Sequence, residues 1–160
     1  MNFWLMKSEP SDVSVDDVAL RPEKKVPWYG VRNYQARNFM TREMNIGDPV
    51  FFYHSSCAEP GIVGIAQVAS AAYPDETQFD PDSPYFDAKS SRNAPRWFNV
   101  DVRLLRKTRL ISLQELRNCG ELAKMRVLAR GNRLSITPVT PAEWRFIVEH
   151  LLGLSPNEYG

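Results

Sequence analysis

Two apolar runs, Val50-Phe51-Phe52-Tyr53-His54 and Ile62-Val63-Gly64-Ile65-Ala66-Gln67-Val68, lie on either side of Glu59-Pro60-Gly61. Strand-length runs joined through a tight turn read as an antiparallel hairpin. The first run shows no polar alternation, so both of its faces must be covered by other chain segments. That requirement limits the fold more than anything else in the sequence. A chain of 160 residues has enough material to cover both faces within one domain.

The remaining elements are short. Phe3 to Met6 reads as a buried strand ending at Lys7-Ser8-Glu9-Pro10. Ser14 with Asp17 opens a helix to about Leu20, and Asn33 caps another running through Glu43, with Ala36, Phe39, Met40 and Met44 as its buried stripe. Tyr73 to Pro95, with four prolines and a run of acids, is a long surface excursion of the kind that forms pocket walls. A strand follows over Trp97 to Leu105, and Ser112 with Glu115 opens a short helix. Leu122 to Leu128 reads as a helical turn, and Arg133 to Thr137 as a strand stopped by Pro138. Thr140-Pro141-Ala142-Glu143 starts a last helix whose stripe is Trp144, Ile147, Val148, Leu151 and Leu152, stopped by Gly153. Five or six strands in hairpin order with short helices, and no G-x-G-x-x-G or phosphate-loop spacing, indicate an α/β (α+β) domain. Its sheet is expected to be curved or closed rather than doubly wound.

The net charge of +1 argues against a uniformly basic nucleic-acid binder. The charge is uneven, however. Eleven Lys or Arg lie from Arg92 to Arg133, against Asp101, Glu115 and Glu121. Cys57 and Cys119 have no metal-ligand spacing and fit a reducing compartment. No apolar stretch approaches the length of a membrane span. The expectation is a soluble cytoplasmic protein without metal or cofactor.

The chemistry concentrates in Pro27-Trp28-Tyr29-Gly30-Val31-Arg32-Asn33-Tyr34-Gln35-Ala36-Arg37-Asn38. Aromatic, amide and guanidinium groups on a loop entering a helix suit a site that stacks a planar ligand and reads its edge. Each residue also has a plainer role. Trp28 could be core beside a turn, Asn33 and Asn38 could cap and decorate the helix, and His54 suits a satisfied, half-buried histidine. Trp97 is divided between core and pocket. Arg32, Arg37, Arg42, Arg103, Arg106, Lys107 and Arg109 could contact phosphates around a pocket.

Trp4 to Pro10, Trp28 to Asn38 and Gly47 to Ser55 together resemble the EVE domain, as do Pro60 to Ile65, Tyr73-Pro74-Asp75, Pro95-Arg96-Trp97 and Arg133-Leu134-Ser135. The likeness spans residues 1–154 as a single domain, with a tail over 155–160. It implies a PUA-like mixed five- to six-stranded β-barrel with flanking short helices. It also implies a non-catalytic reader holding a modified base of DNA or RNA, such as a methylated or hydroxymethylated cytosine, in an aromatic pocket. The implied binding residues are Lys7, Ser8, Trp28, Gly30, Val31, Arg32, Asn33, Asn38, Tyr53, His54 and Trp97. Within that set Trp28 would be a cage wall, Gly30 would let the backbone approach the ligand, and Trp97 would be a second aromatic. Tyr29 departs from the family pattern, which leads one to expect an acid there. Two other functions compete. One is an enzyme on a modified base using Lys7, Glu9 and His54. The other is a peptide-binding module.

Overall fold

The computed structural model describes residues 1–155. The tail expected over 155–160 therefore lies, beyond Ser155, outside the described residues. Six strands form one mixed sheet: β1 (Phe3–Ser8), β2 (Lys25–Pro27), β3 (Pro49–His54), β4 (Gly61–Val68), β7 (Asp101–Ser112) and β8 (Ile136–Val139). Two-residue strands β5 (Tyr73–Pro74) and β6 (Phe98–Asn99) pair separately with each other. The sheet order is β2-β7-β4-β3-β1-β8. β3 and β4 form the expected antiparallel hairpin. β1 and β3 pair in parallel, from Trp4 opposite Val50 to Ser8 opposite His54. Hairpin order did not anticipate that pairing, because the chain between them runs through α1 (Val15–Ala19), β2 and α2 (Tyr34–Asn38). β2 and β8 hold the two outer positions, so the sheet is barrel-like in its mixed pairing without being closed on itself. Register shifts in the β3–β4 and β4–β7 pairs mark the bulges that bend such a sheet.

The sheet has a core on each face, and strand alternation assigns the side chains. Trp4, Met6, Val50 and Phe52 point into one core with Val15, Val18, Ala36, Phe39 and Met40. Leu5, Phe51 and Tyr53 point into the other with Leu116, Leu122, Trp144 and Ile147. This double burial explains the unbroken apolar run of β3. The second core is centred on Trp144, which stacks on Phe51 with ring centroids 3.9 Å apart.

The helix starts follow their caps. Ser14 and Asp17 bond reciprocally at α1, as do Thr140 and Glu143 at α4 (Pro141–Phe146), and Asn33 Oδ1 accepts the Ala36 N–H. Both α2 and α4 widen at their ends into a π turn, in which Met44 N–H bonds Phe39 O and Leu152 N–H bonds Ile147 O. Ser112 caps α3 (Leu113–Arg117) without a return bond, since the Glu115 carboxylate is taken by Arg109.

Three other placements differ from the sequence reading. The last strand starts at Ile136 and contains Pro138, which an outer strand tolerates. The strand expected from Trp97 breaks at Val100 and then runs on to Ser112. The excursion after Tyr73 is anchored more deeply than a surface loop, because Asp75 and Gln78 are both fully buried.

Candidate functional site

The end of β1, the loop after β2 and the excursion enclose a half-open cavity of about 570 Å³. β2 is zipped to β7, and the pairing continues one residue further, where Trp28 N–H donates to Val100 O at 2.8 Å. Trp28 is thereby fixed in the cavity wall, 6% exposed and edge-on to Phe52 at 5.1 Å. It is both core and wall.

Gly30 has φ +83° and donates its N–H to Asp75 Oδ2 at 2.7 Å. A Cβ there would sit 2.9 Å from the Tyr85 ring. The glycine makes room for Tyr85, a residue of this chain, and that ring closes the cavity on the excursion side. Arg32 holds the arrangement together. Its Nε and Nη2 donate to Tyr85 O at 3.0 and 2.7 Å, its Nη2 to Thr77 Oγ1, and its Nη1 to the buried Asp75 at 3.1 Å. With its donors so engaged Arg32 is a brace, not a phosphate contact.

The phenols of Tyr29 and Tyr85 both donate to Asp12, to Oδ1 at 3.0 Å and to Oδ2 at 3.1 Å. Burial first, then the Asp12 carboxylate, pushes Tyr29 up to about 12, and the same causes raise Tyr85. Both phenols therefore stay protonated as donors. Ser8 Oγ–H donates to Val13 O at 2.6 Å, which ties down the turn carrying Asp12. Asn33 spends its oxygen on the helix cap. Lys7 lies 5.9 Å above the Tyr53 ring, and burial lowers its ammonium pKa. Arg133 and Ser135 reach the cavity from the segment entering β8, beside Lys7, whose N–H bonds Ser135 O.

Of the residues implied by the sequence, Lys7, Ser8, Trp28, Gly30, Val31, Arg32 and Asn33 line this cavity. Four do not. Asn38 instead receives the Arg37 guanidinium on its Oδ1. Tyr53 is 2% exposed in the opposite core. His54 Nε2 accepts the Val15 N–H at 3.0 Å, and burial depresses its pKa, so it is a neutral acceptor holding the start of α1. Trp97 donates to Asp87 at 2.8 Å, stacks on Tyr34 at 4.8 Å, and lies 5.5 Å from the Arg32 guanidinium, behind the brace. The trio Lys7, Glu9 and His54 is consequently not assembled.

Four more of the cations expected around the pocket are engaged elsewhere. Arg37 donates to Arg96 O, Arg103 pairs with Glu23, Lys107 with Asp16, and Arg109 with Glu115. Sequence reasoning missed Asp12, Tyr85, Arg133 and Ser135 as lining residues. Tyr85 carried a signal as an aromatic in a proline-rich excursion suited to walling a pocket, and Arg133 and Ser135 stood in one of the segments that resemble the family.

The EVE domain family model matches residues 2–150. Thymocyte nuclear protein 1 of Mus musculus is 42% identical over 165 residues, covering 92% of this chain and 72% of the mouse protein. Among solved structures, human THYN1 protein in complex with 5-methylcytosine containing DNA superposes with a TM-score of 0.84 at 42% identity, covering 92% of this chain and 95% of that one. A Pseudomonas syringae protein superposes with a TM-score of 0.86 at 44% identity, covering 91% and 96%. Among the described residues, no group of His, Cys, Asp or Glu could hold a metal ion, and no helix is long and apolar enough to cross a membrane.

Proposed function

This chain belongs to the EVE domain family, and on that premise we propose that it is a non-catalytic reader that takes one modified base of a nucleic acid into the Trp28 cavity. The observation that carries the reading is the cavity itself. At about 570 Å³ it lies within the size of clefts that hold a small ligand. It offers an aromatic wall at Trp28, and it is pre-formed by the Arg32 brace. Stacking on an aromatic wall contributes ~1–3 kcal/mol per base, comparable with the few kcal/mol needed to unstack and flip it. Phosphate contacts must then supply the remaining affinity, and Lys7 and Arg133 are placed at the cavity for that role. The DNA bound in the human THYN1 structure makes 5-methylcytosine the first base to test.

Tryptophan fluorescence provides the test, with duplexes identical except for one 5-methylcytosine, and matching RNA. We expect the methylated DNA to bind more tightly than the unmodified one. Equal response to all of them would overturn the reading, and a response only to peptides would replace it.

One observation favours an enzyme, namely a lysine in the cavity with a depressed pKa. The histidine that would complete the acid–base trio, His54, accepts the Val15 N–H and does not line the cavity. Product formation from modified nucleosides, lost in Lys7→Ala, would restore that alternative.

A further inference from the structure

Asp12 is held in a way that an ordinary surface carboxylate is not. Its loop is fixed by Asp12 N–H and Val13 N–H, both bonded to Glu9 O at 2.9 Å, and by Ser8 on Val13 O. Its two oxygens are aimed by separate phenols, Tyr29 on Oδ1 and Tyr85 on Oδ2. All three side chains belong to cavity-lining residues. A carboxylate oxygen accepts up to two hydrogen bonds, so each oxygen of Asp12 keeps a free lone pair after its phenol is counted. Asp12, a lining residue, is thus a pre-oriented acceptor with one lone pair left on each oxygen after its two phenol donors are counted.

Such a group answers a problem that any reader of methylated cytosine meets. Thymine also carries a methyl at position 5, and it is present throughout DNA. Aromatic stacking and an apolar slot for the methyl cannot separate the two bases. They differ at position 4, where cytosine presents an amine donor and thymine an oxygen acceptor. A carboxylate at that edge accepts from the amine and repels the thymine oxygen, so it discriminates by attraction and repulsion together.

Resting on the reader assignment above, we propose that Asp12 is the specificity-determining residue of the cavity, accepting the exocyclic amine of the flipped base. The cavity then takes amine-bearing bases and rejects 5-methyl, 4-oxo thymine. Tyr29 and Tyr85 are positioning residues for that carboxylate.

The test uses DNA carrying 5-methylcytosine, cytosine or thymine at one position opposite an abasic site, so that no base has a pairing partner to lose. The wild type should prefer 5-methylcytosine over thymine by roughly 5- to 150-fold, the discrimination of one good base-edge contact. Asp12→Asn, whose amide presents a donor as well as an acceptor, should bring that ratio close to one. Tyr29→Phe with Tyr85→Phe keeps the carboxylate but frees it, and should leave a smaller preference of the same sign. An unchanged ratio in Asp12→Asn overturns the proposal. Equal loss of both bases in that variant, at unchanged melting temperature, also overturns it and makes Asp12 a mere clasp for Tyr85. Failure of the wild type to prefer 5-methylcytosine over cytosine removes the reader assignment itself, which separates the two failures.

Discussion

Gly30 is the position where one added methyl does most harm. At φ +83° a side chain costs ~1–2 kcal/mol in backbone strain, and its Cβ would lie 2.9 Å from the Tyr85 ring. Gly30→Ala should lower the melting temperature and weaken DNA binding further than the lost stability explains, because Tyr85 must shift. Calorimetry and fluorescence titration on the same sample would show whether the two effects separate. Lys7 and Arg133 belong to a different kind of contact. Among the described residues no carboxylate lies within ion-pair distance of either. Lys7→Ala and Arg133→Ala should each weaken binding to every sequence alike and reduce the slope of log K against log salt by about one. The sequence exposed some of these residues and hid others for one reason. Trp28, Gly30 and Asn33 sit in one contiguous motif, whereas the aim of Trp97 and His54 depends on Asp87 and Val15, ten and 39 residues away. The plainer reading of His54 as a satisfied, half-buried histidine holds, whereas residue type gave no sign of the Asp87 partner that engages Trp97.

The brace from Arg32 to Asp75 joins the loop after β2 to the excursion, 43 residues on. Asp75 is fully buried, so Arg32→Ala leaves its carboxylate without a counter-charge, held only by the Gly30 and Thr77 donors, a change that costs up to ~3–5 kcal/mol. Chemical denaturation should register that loss, and Arg32→Lys should recover little of it, since a single ammonium cannot replace a fork that reaches Tyr85 O, Thr77 and Asp75 together. Elements set by neighbouring residues were legible in the sequence. The reciprocal caps of Ser14 with Asp17 and Thr140 with Glu143 are examples. Elements set by partners were not. Glu115 serves Arg109 instead of closing its cap, and the parallel β1–β3 pair joins strands that the chain separates by two helices.

One sheet with a core on each face divides stability from recognition. Trp144, stacked on Phe51 in the core away from the cavity, can be truncated at ~3–5 kcal/mol. The ratio of affinities for modified and unmodified DNA should stay unchanged in Trp144→Ala below its melting point. The pH dependence of folding should bear the mark of His54. Burial holds its folded pKa below the ordinary 6.5, so between the two values the unfolded chain binds more protons and stability rises with pH. The stabilisation is complete above about 6.5 and is lost as the pH falls towards the folded value. His54→Gln, which can still accept the Val15 N–H, should remove that part of the slope in a denaturation series across pH.

Gln78 closes the base of the excursion. Fully buried, it donates to Asp75 O and Trp97 O and accepts from Arg96 N–H, Trp97 N–H and Ser90 Oγ. The span beyond this knot, including Tyr85, is fastened at its root and adds no strand to the main sheet. It meets the cavity through Tyr85, by its carbonyl on Arg32 and its phenol on Asp12. Substitutions along the span should therefore leave the two cores intact, while those that displace Tyr85 should change what the cavity accepts.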